Sequence, residues 1–187
     1  MGSAAQYQLP DEQEAIAVIG LGCRFPDATD ATQFFTNLRK GRASATRIPA
    51  ARLALTQNDT DDKADRFGAY LCDIEQFDPL FFHIAPHEAL LMDPQQRVLL
   101  EVAYSALEDA ARVGRGAPGP NTGVFIGATS GEYTEIIAAR GGVADRALGT
   151  GNAPSIIANR LSYVLDLRGP SLVIDTACSS SLVAVHM

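Results

Sequence analysis

Ser171-Leu172-Val173-Ile174 is an apolar, β-branched run of strand type, and Leu182-Val183-Ala184-Val185 follows a few positions later with helix periodicity. Between them stand Asp175-Thr176-Ala177-Cys178 and three serines, Ser179, Ser180 and Ser181. A strand that becomes a helix within so few residues must turn sharply, and such a unit belongs in an α/β domain. The order places Cys178 at the helix N-terminus, where backbone N–H groups point outward without intrahelical partners. The partial positive charge there favours thiolate over thiol and suits a developing oxyanion. Cys178, at a strand-to-helix elbow, is therefore the candidate nucleophile.

The rest of the chain alternates in the same way. Glu14 to Gly22, with Ile16-Ala17-Val18-Ile19 closed by glycines, predicts a buried first strand. Asp30 is placed to cap a helix through Lys40, with Phe34, Phe35 and Leu38 on one face and Gly41 ending it. Residues 42–65 are polar and irregular, and Asn58 to Asp62 predict an exposed loop. Asp93-Pro94 predicts a helix to about Arg112, with Val98, Leu99, Val102, Ala103, Ala106, Leu107 and Ala110 along one stripe. A turn-rich connector from Gly114 to Pro120 leads to a strand over 122–128, a helix over 154–165 and a turn into the Ser171 strand. Strands alternating with helices give an α/β domain with parallel or mixed strands. Residues 1–13 read as a flexible leader or expression remnant, and 14–187 as the ordered domain portion. The helix after Cys178 is apolar nearly all round, as suits one in the middle of a larger domain, and a sheet of about three strands does not close such a core. The chain is thus expected to be part of a bigger unit.

Composition narrows the function. A net charge of −7 over 187 residues, with scattered arginines, argues against a nucleic-acid partner. No apolar stretch reaches bilayer length, so no membrane partner is expected. Three widely spaced cysteines, Cys23, Cys72 and Cys178, point to a reducing, cytoplasmic setting without a disulfide framework.

Asp175-Thr176-Ala177-Cys178-Ser179-Ser180-Ser181 resembles the active-site motif of β-ketoacyl synthase (ketosynthase) domains, in particular those of modular polyketide synthases. Further motifs resemble that family in the same order: Ile16 to Gly20 with Cys23-Arg24-Phe25-Pro26, Phe77-Asp78-Pro79-Leu80-Phe81-Phe82, Met92-Asp93-Pro94-Gln95-Gln96-Arg97, Thr122 to Gly127, and Gly149-Thr150-Gly151-Asn152. The resemblance implies the N-terminal half of a thiolase-like αβαβα layered fold, incomplete in this chain, and a homodimer. It implies that Cys178 takes an acyl group from a phosphopantetheine thioester, its backbone N–H contributing to the oxyanion hole. Decarboxylative Claisen condensation with a malonyl-type unit on an acyl carrier protein would follow. It implies no bound cofactor or metal, and work alongside other polyketide synthase domains. Met92 to Arg97 and Gly149 to Asn152 would serve support and the dimer interface. Two downstream histidine motifs, a lysine and a glycine-rich loop that the family uses have no counterpart here. Without donors at the malonyl carbonyl an enolate is unstabilised, so the chain alone is not expected to condense anything.

Blander readings stand beside these. Cys23 and Cys72 read as structural, Cys23 within a core. His83 and His87 with Cys72 make a weak metal set, since Pro86 interrupts a shared helix. His186 lies about 12 Å along the helix from Cys178, too far to act as its base, and reads as packed in the interior or at a protomer contact. Gly20-Leu21-Gly22 lacks the rest of a dinucleotide fingerprint, and Asp59, Asp61 and Asp62 lack the frame of a calcium loop. The alternatives are a non-catalytic assembly piece completed by a second chain, and a cysteine hydrolase, which would need a histidine beside Cys178.

Overall fold

Asp93 opens the longest helix, its carboxylate accepting the Gln95 N–H at 2.8 Å with Pro94 next in the first turn. Proline fits there because the N–H it lacks would have no intrahelical acceptor. In the computed structural model, which describes residues 16–55, 67–114, 117–129, 131–141 and 145–187, this helix is the fourth of eight. The described elements run α1 (Ala31–Arg39), β1 (Thr46–Arg47), α2 (Ala50–Leu53), β2 (Phe67–Gly68), α3 (Pro86–Leu91), α4 (Pro94–Asp109), β3 (Val124–Gly127), α5 (Tyr133–Ala139), α6 (Arg146–Asn152), α7 (Pro154–Val164), β4 (Ser171–Ile174) and α8 (Ser180–His186). The short β1 and β2 pair antiparallel. Strands β3 and β4 pair parallel, from Val124 opposite Ser171 to Gly127 opposite Ile174. Parallel neighbours need a crossover, and α5, α6 and α7 supply it.

The core gathers Phe82, Ile84, Met92, Leu100, Val124, Ala158 and Leu161, with Met92 and Ala158 wholly out of solvent. Phe82 stacks on Phe77 at 5.3 Å between centroids and meets Tyr104 edge-on. A polar knot runs beneath α7. Arg160 Nε donates to Gln96 Oε1 at 2.7 Å, and its Nη1 donates to Glu88 Oε1 at 2.7 Å, which ties α7 to α4 and α3. Asn152 Nδ2 donates to Leu91 O at 2.8 Å, fastening α6 to α3.

Helices α1, α4 and α7 stop in the same way. Gly41, Ala111 and Asp166 each take a positive φ, +63°, +53° and +51°. The next residue returns an N–H to the carbonyl five positions back: Arg42 to Asn37, Arg112 to Leu107 and Leu167 to Ser162, at 2.7 to 3.0 Å. This is the Schellman closure, which satisfies carbonyls that the helix leaves open. It ends α4 at Asp109, short of the predicted Arg112.

Several expectations fail. Residues 16–22 are neither a strand nor buried: Ile16 is 95 % exposed and Val18 84 %. A strand needs a neighbouring edge, and among the described residues none pairs with this segment. It lies across α4 instead, Leu21 N–H donating to Asp109 Oδ2 at 2.9 Å. The irregular 42–65 region holds β1 and α2, which are too short to leave a periodic signal. Pro86 starts α3 rather than interrupting a helix. Phe34 stacks on Phe25 at 4.3 Å, but Phe35 and Leu38 stay exposed. The α8 helix buries only Ser180 and Ala184, and its Leu182 and Val185 face solvent because nothing described covers them. The 1–13 leader and the Asn58 to Asp62 loop lie outside the described residues.

Candidate active site

Strand β4 delivers the chain into Asp175 and Thr176, and a single 3₁₀ turn, Ala177–Ser179, carries it into α8. The turn is held by side chains. Asp175 Oδ1 accepts the Ala177 N–H at 3.0 Å. Ser180 Oγ accepts the Thr176 N–H at 2.9 Å and donates to Ala177 O at 2.7 Å. Ser179 Oγ lies 2.9 Å from Thr176 O and 2.8 Å from Thr176 Oγ1. Ala177 sits at φ +54°, a left-handed conformation that costs an L-residue about 1–2 kcal/mol. The elbow leaves Cys178 exposed at its apex, in the helix-entry position that the sequence indicates.

The elbow rests on the neighbouring strand. A Cβ at Gly127, the last residue of β3, would come within 2.6 Å of Ser180 C and Ser181 N. Only glycine lets β3 and the start of α8 approach this closely. Ala128 N–H donates to Ile174 O at 3.2 Å just beyond the paired strands. Cys178 therefore follows the carboxyl end of a parallel pair, the end at which α/β sheets carry their ligands. Two hollows flank that end. One of about 370 Å³ is lined by Ala128, Ser155, Asn159, Leu172 and Asp175 among others. A more apolar cleft of about 600 Å³ reaches Ile126, Gly127 and Ala128 from Phe25, Tyr70 and Val98.

The other candidates scatter. His87 Nε2, on α3, lies 3.4 Å from Oδ2 of Asp145, the N-cap of α6. The Ala147 N–H that Asp145 accepts as a helix cap holds its carboxyl below the usual carboxylate range; slight desolvation opposes this and His87 adds to it. His83 precedes α3, and His186 is exposed on α8 rather than packed inside. None of the three histidines hydrogen-bonds Cys178 among the described residues, so the hydrolase reading gains nothing. Cys23, expected within a core, is only half-buried, and Cys72 is exposed. Sequence reasoning places Ser180 and Gly127 within motifs but does not single out either as a support of the elbow.

Residues 13–187 match the model of the β-ketoacyl synthase N-terminal domain. This chain belongs to the β-ketoacyl synthase family. As a ketosynthase sequence it is 46 % identical over 181 residues to a phenolphthiocerol/phthiocerol polyketide synthase of Mycobacterium tuberculosis, covering 93 % of this chain and 10 % of that one. It is 41 % identical over 189 residues to polyketide synthase PksL of Bacillus subtilis, covering 94 % of this chain and 4 % of that protein. Its structure superposes on the ketosynthase from module 6 of the Bacillus subtilis bacillaene synthase with TM-score 0.75 and 39 % identity, over 91 % of this chain and 27 % of the other. The oxazolomycin ketosynthase domain OzmH KS7 of Streptomyces albus gives TM-score 0.77 and 36 % identity, over 90 % and 30 %. The chain thus spans a tenth or less of these polyketide synthases and under a third of these ketosynthases. Its fold is the N-terminal part of the thiolase-like ketosynthase fold, in a family of acyltransferase-type enzymes.

Proposed function

We propose that this chain carries the acyl-accepting part of a polyketide-synthase ketosynthase, with Cys178 as nucleophile. The observation that supports it is the exposed thiol at the apex of a hydrogen-bonded elbow between β4 and α8. The Cys178 thiolate attacks the carbonyl of an acyl group carried on phosphopantetheine. The C–S bond to the carrier breaks, the carrier sulfur leaves as a thiolate that takes a proton from water, and the acyl group rests on Cys178 as a new thioester. In this reading the Cys178 N–H, in the 3₁₀ turn before α8, takes negative charge on the carbonyl oxygen during that attack. Condensation completes the cycle. A malonyl-type unit on an acyl carrier protein loses carbon dioxide, its carbanion attacks the Cys178 thioester, and the thiolate departs. That second half calls for two histidine motifs not found in these 187 residues. It therefore needs groups from beyond the chain described.

The partners that fit this reading are an acyl carrier protein, other polyketide synthase domains and a second ketosynthase protomer. The setting that fits is the cytoplasm; among the described residues no helix is long and apolar enough to cross a membrane. An assembly role, with another polypeptide completing the domain, is favoured by one observation, the exposed apolar residues Ile16, Val18, Leu182 and Val185. Incubation with an acyl N-acetylcysteamine thioester, followed by intact mass, separates the two. Acyl transfer is expected to add one acyl mass at Cys178, and Cys178→Ala is expected to abolish it. A stable complex without any acylation would leave only the assembly role.

A further inference from the structure

We propose that Ser180 is the positioning residue for Cys178, its buried hydroxyl bracing Ala177 in the left-handed conformation that presents the thiol; this rests on Cys178 being the nucleophile. Ala177 has a Cβ, so its φ of +54° is a strained choice that persists only where the surroundings dictate it. Hydrogen bonds converge on it, the Ser180 backbone N–H donating to Ala177 O alongside the hydroxyl. Ser180 is 6 % exposed, and its hydroxyl spends its one proton on Ala177 O while accepting from Thr176 N–H. It thereby grips the chain on both sides of the strained residue. Asp175 Oδ1 holds the remaining polar group, the Ala177 N–H.

The three serines are not equivalent. Ser179 and Ser181 are exposed. The Ser179 hydroxyl meets only Thr176, one residue before the strain. Of their hydroxyls only that of Ser180 bonds Ala177, and the β3 backbone lies so near its carbonyl carbon that a Cβ at Gly127 would not fit. Without the brace the elbow is free to fall back toward negative φ, which swings Cys178 out of its present direction.

The test measures alkylation of Cys178 by iodoacetamide, resolved by peptide mass spectrometry, with Cys23 and Cys72 as references in the same molecule. Ser180→Ala is expected to slow Cys178 about fivefold, the size of one left-handed residue's strain, and to leave Cys23 and Cys72 unchanged. Ala177→Gly, measured alone, is the reference for the double variant. Added to Ser180→Ala it restores the rate to within about twofold, because glycine adopts positive φ without a brace. Acylation by the N-acetylcysteamine thioester is expected to follow the same order. An unchanged Cys178 rate in Ser180→Ala, a slowing shared by all three cysteines, or no recovery in the double variant would overturn the proposal. If the parent chain accepts no acyl group yet the alkylation pattern holds, the brace stands and the ketosynthase reading of the thiol fails.

Discussion

Glu101 is a residue whose charge the fold works against. It sits on α4 with Oε2 2.9 Å from Arg24 Nη1, and Arg24 Nη2 donates onward to Cys72 O at 2.7 Å. Burial pushes its pKa above the ordinary 4.5, and the Arg24 and Arg97 guanidinium groups only partly offset this. Folding therefore favours the protonated form. The contribution is full below 4.5, the unfolded value, and is lost as the pH rises through the folded one. Glu101→Gln should flatten the decline in stability just above that value; urea midpoints from about pH 4 to about pH 7 read it, and an unaltered slope would refute the assignment. At this scale the sequence disclosed the elbow cysteine proposed as nucleophile, but not the residues that hold its turn. Cys178 was legible because a strand-type run, a cysteine and an apolar helix stand in order within one short segment. Ser180 was not, because three adjacent serines are alike in sequence and only the fold buries one of them.

Helix starts were more legible than helix stops. Asp30, Asp93 and Pro154 announce α1, α4 and α7 by chemistry that is local in sequence. Their ends share one closure, yet only Gly41 advertises it; Ala111 and Asp166 adopt the same left-handed backbone without glycine's freedom. Ala111→Gly is accordingly expected to stabilise the fold by about 0.5–1 kcal/mol, the relief of the left-handed strain less glycine's entropy cost. Asp166→Gly should gain less, since aspartate tolerates that region better than alanine. Thermal or urea midpoints check both, and a loss of stability in Ala111→Gly would contradict the cap. Elements such as α5 and α6 escaped notice because seven residues with no strong stripe give no period to read.

At the scale of the molecule, family, α/β class and the β3–α7–β4–α8 order follow from ordered motifs and alternation. The first strand was misjudged because a strand is a relation between two segments, and 16–22 has no described partner. Its apolar side chains, with Leu182 and Val185 of α8, lie open to water, a cost that a completed domain would remove. The chain on its own is therefore expected to bind a hydrophobic dye such as ANS and to unfold over a broad range; a sharp transition with a monomeric mass and no dye binding would refute this. The parallel pairing of β3 with β4 has a further consequence, one of timing. Ser171 lies 47 positions after Val124, so among the described residues β3 has no partner strand until the whole α5–α7 crossover has been made. Pairings closed over such long loops form slowly. The elbow that carries Cys178 follows that second strand, so the thiol is seated against β3 only once this pairing has closed.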